Sequence, residues 1–292
     1  MKFLSIIIPH KNAPEKLRRL LNTIPDRIDI EVIVIDDKSD PDKKAKSIKE
    51  DFLDVEFLEN PGPDFNAGSA RNLGLSVAMG EWLLFADADD YFTTFGITVI
   101  LQTLKKVPFT CDLVCFSATS YSEVYKKTGT RHLGIERAVR DFIVHGWECS
   151  SRYSRPGPVA KAIRRSLTAA KGIRFDSVIA SNDAVFSLLV GIWAKDMLVV
   201  DKEVYVITEY SDSLTRRLTP ERALSRLEVL LRLNNMTRQF GISRKCDWGV
   251  RWFLCSLAQV PNWQQVRVYY QFAKDLTVRL MLRFTAARNK RD

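Results

Sequence analysis

Four short apolar runs alternate with helix-patterned stretches inside the first 86 residues, and this alternation constrains the fold more than any other feature of the 292-residue chain. The runs are Phe3–Ile8, closed by Pro9, then Glu31–Ile35, Val55–Leu58 and Trp82–Ala86. A run that is apolar at nearly every position suits a strand covered on both faces. Between the runs, Pro14–Ile24 carries Leu17, Leu20, Leu21 and Ile24 at helical spacing, with Pro14 suited to a first turn. Lys43–Phe52 reads as a second helix. Ala67–Met79 reads as a third, after the break at Asn60-Pro61-Gly62-Pro63. The expected fold class is α/β, with a mainly parallel central sheet and crossover helices. Further on, Ile97–Leu104 and Asn182–Val190 read as helices, and Asp112–Ser117, Val159–Ile163 and Val204–Thr208 as strands. Ser150–Pro158 reads as a loop. From Pro220 the pattern is helical only, over Glu221–Phe240, Asp247–Leu257 and Trp263–Phe284, so a helical appendage is expected over 216–292.

Composition removes several classes. With 46% hydrophobic and 27% charged residues the chain is globular, not disordered. No apolar run approaches the roughly 18–20 residues of a membrane-spanning helix, and the Met1–Pro9 block reads as a first strand and not a signal segment. Five cysteines without a Cys-x-x-Cys pair, and three histidines, support neither a disulfide framework nor a zinc site, and a reducing cytoplasm is the expected compartment. The net charge of +9 is unevenly placed. Residues 211–292 hold 16 Lys/Arg against 6 Asp/Glu, whereas the preceding 210 hold 28 against 29.

Chemistry-bearing residues gather where strand tips should converge. They are Pro9-His10-Lys11-Asn12, Asp36-Asp37-Lys38-Ser39, Gly68-Ser69-Ala70-Arg71-Asn72-Leu73-Gly74 and Asp87-Ala88-Asp89-Asp90. Ligands of open α/β sheets sit at the C-terminal ends of strands, and carboxylates are hard oxygen ligands for Mg²⁺ or Mn²⁺. In this order and at these intervals, the Ser-Ile-Ile-Ile-Pro opening, Val-Ile-Asp-Asp-Lys-Ser, Ala-Arg-Asn-x-Gly and Gly-Glu-Trp-Leu-Leu-Phe-Ala-Asp-Ala-Asp-Asp resemble the family 2 glycosyltransferases. The resemblance covers residues 3 to about 95 closely.

The resemblance implies a GT-A-type nucleotide-sugar-binding fold, with a catalytic domain over 1–215. Its 1–95 half would bind the nucleotide sugar and its 96–215 half the acceptor. Asp89 would hold Mn²⁺ or Mg²⁺, and Asp87 would touch the ribose or the metal's surroundings. Asp90 fits a cap or a supporting carboxylate. Pro9 would border the nucleotide, and Asp36 would accept a hydrogen bond from the base, commonly uracil in relatives. Asp37 fits a structural cap for the next turn, and Arg71 a contact to base or diphosphate. Relatives carry the general base in an acidic pair at the start of a helix. The matching text here is Phe175-Asp176 … Ser181-Asn182-Asp183, which makes Asp183 the base and replaces the other acid by Asn182. With one base and no second carboxylate nucleophile, the resemblance implies inversion at the anomeric carbon. Its partners would be a nucleotide-diphosphate sugar donor, UDP-linked by preference, and a glycan or lipid-linked acceptor.

Softer expectations concern Tyr210–Arg217, placed to close over a diphosphate, and Trp147 and Trp193, able to stack on a sugar ring or to serve as core. His10 reads as a local hydrogen-bond donor. The basic appendage fits either a helix packed with a solvated charged face or a peripheral contact with an anionic membrane surface. No recognition motif accompanies the charge, which argues against nucleic acid. A nucleotidyltransferase would want a glycine-rich loop after the first strand, and Pro9-His10-Lys11-Asn12 is not one. A non-catalytic nucleotide- or glycan-binding protein on the same fold remains the other alternative, favoured only by Asn182.

Overall fold

A computed structural model describes residues 2–155, 157–211 and 219–242. The chain divides into two compact units, one of Met1–Val178 with Asn182–Ser213 and one of Ile179–Ser181 with Leu214–Asp292. The first contains Pro9, Asp36, Arg71, Asp87, Asp89 and Asp183.

Its sheet is mixed and mostly parallel. β1 (Leu4–His10), β2 (Ile30–Asp36), β3 (Val55–Glu59) and β4 (Trp82–Phe85) form a parallel block in the order β3-β2-β1-β4, all four arising from the apolar runs of the sequence. The sheet continues through β8 (Lys161–Arg164), antiparallel to β4, then β6 (Cys111–Ser122), β9 (Asp196–Glu209) and the short β5 (Tyr91–Phe92), with β7 (Lys127–Thr128) on the edge of β6. Every residue of β1, β2 and β4 is buried, as continuous apolar strands require.

Helices cover both faces. α1 (Pro14–Leu21) buries Leu17, Leu20 and Leu21, and α3 (Gly96–Leu104) joins the same core layer through Ile97, Ile100, Leu101 and Leu104. α2 (Ala67–Val77), α4 (Leu133–His145), α5 (Arg165–Lys171) and α6 (Ala184–Trp193) contribute to the opposite layer. In α2, Gly74 is required by close approach, because a Cβ there would collide with the side chains of Ile7 on β1 and Ile35 on β2. The glycine thus lets α2 lie directly on the sheet, which carries Arg71, one turn earlier, to the strand tips.

Three segments depart from the sequence reading. Residues 43–52 form 3₁₀ turns, Pro41–Lys43 and Ala45–Asp51, in place of an α-helix. The two buried residues of the second, Ala45 and Ile48, are three apart, and a 3.0-residue turn puts such a pair on one face. Residues 150–154, expected as a loop, form a π-helical turn. Arg152 from that turn donates to the Gly191 and Ala194 carbonyls at the end of α6 (3.2 and 2.8 Å), and its own carbonyl lies where a Cβ of Gly191 would be. β9 begins at Asp196, eight residues before the expected Val204. In the second unit α7 (Pro220–Gln239) is capped by Thr219, whose hydroxyl accepts from the Arg222 amide at 3.4 Å. The helices expected over 247–257 and 263–284, and residues 212–217 of the expected diphosphate loop, lie outside the described residues.

Candidate active site at the strand tips

The acidic tip is built by β4. Its four residues are fully buried, and the chain turns at once, with the Asp90 amide donating to the Asp87 carbonyl at 3.0 Å. The Asp87 amide donates to the Tyr205 hydroxyl of β9 (2.8 Å), and Asp90 Oδ1 accepts the Thr208 amide (2.8 Å). Asp90 is therefore the supporting member of the trio. Burial and the charges of Asp87 and Asp89 raise its pKa well above the ordinary carboxylate value. Asp89 is raised for the same two reasons, burial first and Asp87 second, with Lys16 and Arg131 pulling in the opposite direction.

Arg71 reaches this tip from α2. Its Nη2 donates to Asp87 Oδ1 at 2.6 Å and its Nη1 to Asn182 Oδ1 at 3.2 Å, while the guanidinium carbon sits 5.4 Å from the centre of the Phe175 ring. Its Nε is buried with no partner among the described residues. The next residue, Asn72, grips the segment that leads to Asn182 and Asp183. Its amide donates to the Phe175 carbonyl (2.9 Å) and accepts the Phe175 amide (2.8 Å). Gly68, at the start of α2, leaves room for the Asp176 carbonyl and the Asn182 side chain. The Gly-Ser-Ala-Arg-Asn-Leu-Gly text thus makes contacts to four other segments, β1, β2, the β4 tip and residues 175–182.

Asp183 arrives by packing. Phe175 and Phe186 stack at 3.8 Å, and Phe85 of β4 meets both edge-on at 5.0 and 5.5 Å. This cluster draws the start of α6 to the end of β4. Asp183 is the residue before α6, and its side chain makes no capping hydrogen bond to that helix. Burial raises its pKa above the ordinary value, and Asp87 adds to that, while Arg71 and Lys161 oppose it. Lys161, on β8 and almost fully buried, donates to the Arg155 carbonyl at 2.7 Å, and burial together with Arg155 lowers its pKa to about 7.

The other expected residues sit on β1 and β2. Pro9 is buried opposite Ile35. Asp36 uses both carboxylate oxygens within the turn. Oδ1 accepts the Ser39 amide (2.8 Å), and Oδ2 accepts the Ala45 amide (2.7 Å) and faces His10 Nδ1 (3.2 Å). Burial raises its pKa, but the Ala45 and Ser39 amides, with the Ser39 hydroxyl and His10, together outweigh this and leave it below the ordinary value. The Ala13 amide donates to His10 Nε2 at 3.1 Å, which puts the ring proton on Nδ1, and burial keeps the ring neutral. The capping role considered for Asp37 thus falls to Asp36. Asp37 accepts from Asn60 Nδ2 at 2.8 Å through Oδ1, and its Oδ2 faces the Lys11 ammonium at 3.9 Å. Trp193 lies at the far end of the ten-residue α6 from Asp183, about 15 Å of helix away. Trp147 stacks on His145 at 4.4 Å.

Sequence reasoning did not single out Arg19, Lys161 or Tyr205. Each is a polar residue in an element that reads as ordinary helix or strand, and their site partners are distant in sequence.

The tip suits a divalent cation shared with a ligand. Asp87 and Asp89 crowd like charge, and no other residue among those described donates a hydrogen bond to the Asp89 carboxylate, so a cation would relieve the repulsion from Asp87 that adds to burial in raising Asp89. No group of three or more His, Cys, Asp or Glu side chains able to hold a metal occurs among the described residues. A Mg²⁺-type ion held by one or two carboxylates and completed by phosphate oxygens needs none.

Residues 5–167 match the family model of glycosyl transferase family 2. The poly(ribitol-phosphate) beta-N-acetylglucosaminyltransferase TarP of Staphylococcus aureus is 32% identical over 95 residues, 31% of this chain and 29% of TarP. The chain spans less than half the length of the curated relatives it matches. Among solved structures, S. aureus TarS 1–349 in complex with UDP-GlcNAc superposes with a TM-score of 0.60 at 19% identity, over 95% of this chain and 88% of that one. The Pyrobaculum calidifontis mannosyltransferase in complex with GDP-Man and Mn²⁺ gives 0.60 at 15% identity, over 93% and 79%. These likenesses show the fold to be that of the GT-A glycosyltransferases.

Proposed function

The chain belongs to glycosyl transferase family 2, and from that footing we propose that it moves a sugar from a nucleotide-diphosphate donor to a hydroxyl of a glycan or lipid-linked acceptor. A UDP-sugar is the favoured donor, and bacterial surface polysaccharide or glycolipid synthesis the favoured setting. The single observation that carries this reading is the convergence of Asp183, with its raised pKa, on the Arg71–Asp87 pair at the acidic tip.

Asp183 takes the proton from the acceptor hydroxyl as its oxygen attacks the anomeric carbon. A base whose pKa is raised toward the working pH does this better than an ordinary aspartate. The C–O bond to the sugar forms on the face opposite the breaking bond to the diphosphate, so the configuration inverts. Asp89 would hold a divalent cation, with Asp87 at the ribose or the metal's surroundings, and the cation would supply positive charge to the leaving diphosphate. Arg71 holds Asp87 and Asn182 together, so that donor and acceptor sides keep one geometry. Asp36 stiffens the β2 turn and, through the acceptor capacity that Oδ1 keeps beside the Ser39 amide, receives the N–H of the base. Pro9 borders the nucleotide without offering a competing N–H.

No helix among the described residues is long and apolar enough to cross a membrane. A peripheral contact with anionic lipid would fall to the basic residues of 243–292.

The test is thermal stability of the full chain with UDP, GDP and CMP, each with Mn²⁺ and with chelator. A ligand at 100 times its Kd adds roughly 2.7 kcal/mol, or about 5–10 °C for a protein of this size. A Mn²⁺-dependent shift with UDP supports the reading. No shift with any nucleotide rejects it.

A further inference from the structure

Arg19, on the outward side of α1, belongs to none of the four motifs, yet its guanidinium is the meeting point of four segments. Its Nη1 donates to Glu123 Oε1 at 3.1 Å, near the end of β6. Its Nη2 lies 2.5 Å from the Asp89 carbonyl, 3.0 Å from Thr208 Oγ1 and 3.1 Å from the Tyr210 hydroxyl. The Tyr91 ring centre is 4.6 Å from the guanidinium carbon. Nη2 has two hydrogens for three acceptors, so one hydrogen is shared.

These contacts close a ring. Arg19 holds the Asp89 carbonyl and the Thr208 hydroxyl, and the Thr208 amide in turn donates to Asp90 Oδ1 at 2.8 Å. The Asp89–Asp90 peptide is thus pinned on both sides. We propose that Arg19 is a positioning residue for the cation and diphosphate site, fixing the Asp89 peptide, and with it the direction of the Asp89 carboxylate, against the end of β9. The inference rests on the reading of Asp89 as the metal-holding residue. Arg19 acts through geometry and not through charge. The cations that bear on the Asp89 carboxylate are Lys16 and Arg131, whereas Arg19 addresses the carbonyl. Only a planar fork with several N–H groups can hold acceptors on α1's three partner segments at once, so lysine keeps the charge and loses the function.

The experiment is calorimetric titration of UDP into full-length protein, with Mn²⁺ and with chelator, for wild type, Arg19→Lys and Arg19→Met. Groups that orient a metal ligand are typically worth 10–100-fold in metal affinity. Both variants should lose roughly that factor in Mn²⁺-dependent UDP binding while keeping wild-type UDP affinity in chelator. Thr208→Val, which removes one member of the ring and keeps the side-chain shape, should show a smaller loss of the same kind, and it carries the test where the Arg19 variants do not fold. Wild-type Mn²⁺-dependent affinity in Arg19→Lys, or an equal loss with and without the metal, overturns the proposal. If wild type shows no Mn²⁺-dependent UDP binding, the reading of Asp89 fails first and takes this inference with it.

Discussion

Arg71 Nη2 lies 2.6 Å from Asp87 Oδ1, and the same guanidinium reaches Asn182 Oδ1 at 3.2 Å. The pair is asymmetric in exposure, with the arginine side chain 6% and the aspartate 39% accessible, so the charge is anchored in the protein and offered outward through the carboxylate. One residue thereby ties the β4 tip to the segment that carries Asp183. The amide at Asn182 does for Arg71 what a second carboxylate would do, without adding a negative charge beside Asp183.

Arg71→Lys should therefore damage catalysis more than folding. A lysine ammonium is a point donor on a flexible stem and cannot hold Asp87 and Asn182 together in a fixed plane. Misplacement of about 1 Å costs on the order of 10²-fold in rate, and a kcat/KM fall of that size is expected. Steady-state kinetics beside a melting curve would separate the two effects. A variant that loses stability and keeps its specific activity would show the bridge to be structural only.

Asp183→Asn should lower kcat by about 10²- to 10⁴-fold, the usual worth of a general base, and leave the Mn²⁺-dependent UDP shift intact. Wild-type activity should also rise with pH through a pKa above the ordinary aspartate value, because burial and Asp87 raise the carboxyl and only its ionised form accepts a proton. Arg71 opposes that rise, so Arg71→Met should move the acid limb of kcat/KM to higher pH. A pH profile of the variant that lies at or below the wild-type limb would contradict the electrostatic assignment.

The sequence made the parallel block legible for a physical reason. β1, β2 and β4 are buried along their whole length, so each reads as an unbroken apolar run. The Arg71-Asn72-x-Gly74 text was legible because every member has a fixed duty, to Asp87 and Asn182, to Phe175, and to Ile7 and Ile35 respectively. By contrast, α4 buries only Ile135, Ala138 and Val139 among charged neighbours, a stripe too narrow to announce a helix. Arg19 was illegible because its partners lie 70, 104, 189 and 191 residues away, and an arginine on an amphipathic helix looks solvated until those segments are brought together. The capping of the β2 turn by Asp36 was hidden for the same reason, since it depends on where the Ala45 amide comes to rest.

Asp89→Asn should abolish the Mn²⁺-dependent stabilisation by UDP and leave the metal-free protein at least as stable as wild type. The sign follows from the raised pKa of Asp89, which means that its ionisation opposes folding at neutral pH. Each pKa unit corresponds to about 1.4 kcal/mol, so the neutral amide should raise the melting temperature in chelator by a few degrees at most. A lower melting temperature in chelator would mean that the carboxylate is a structural acceptor and not one held ready for a cation.

Lys161 supplies a pH signature distinct from that of the carboxylates. Its ammonium is buried in β8 with the Arg155 carbonyl as acceptor, and burial and the Arg155 charge lower its pKa to about 7 from 10.5. Between those two values the unfolded chain binds a proton that the folded chain does not. Stability from this group therefore rises with pH from about 7 towards the unfolded value and is least below 7, where the buried amine must be charged in the folded state. The slope it contributes is at most about 1.4 kcal/mol per pH unit. Lys161→Met fills a similar volume without the amine, so its stability should depend less steeply on pH over that range. The same substitution removes a positive charge that lowers the Asp183 pKa, and should shift the acid limb of kcat/KM upward. Urea unfolding of both proteins between pH 6.5 and 9.5, set beside their kinetic profiles, measures the two consequences together. Parallel stability curves would show that Lys161 does not titrate there, and an unmoved kinetic limb would show that its charge does not reach Asp183.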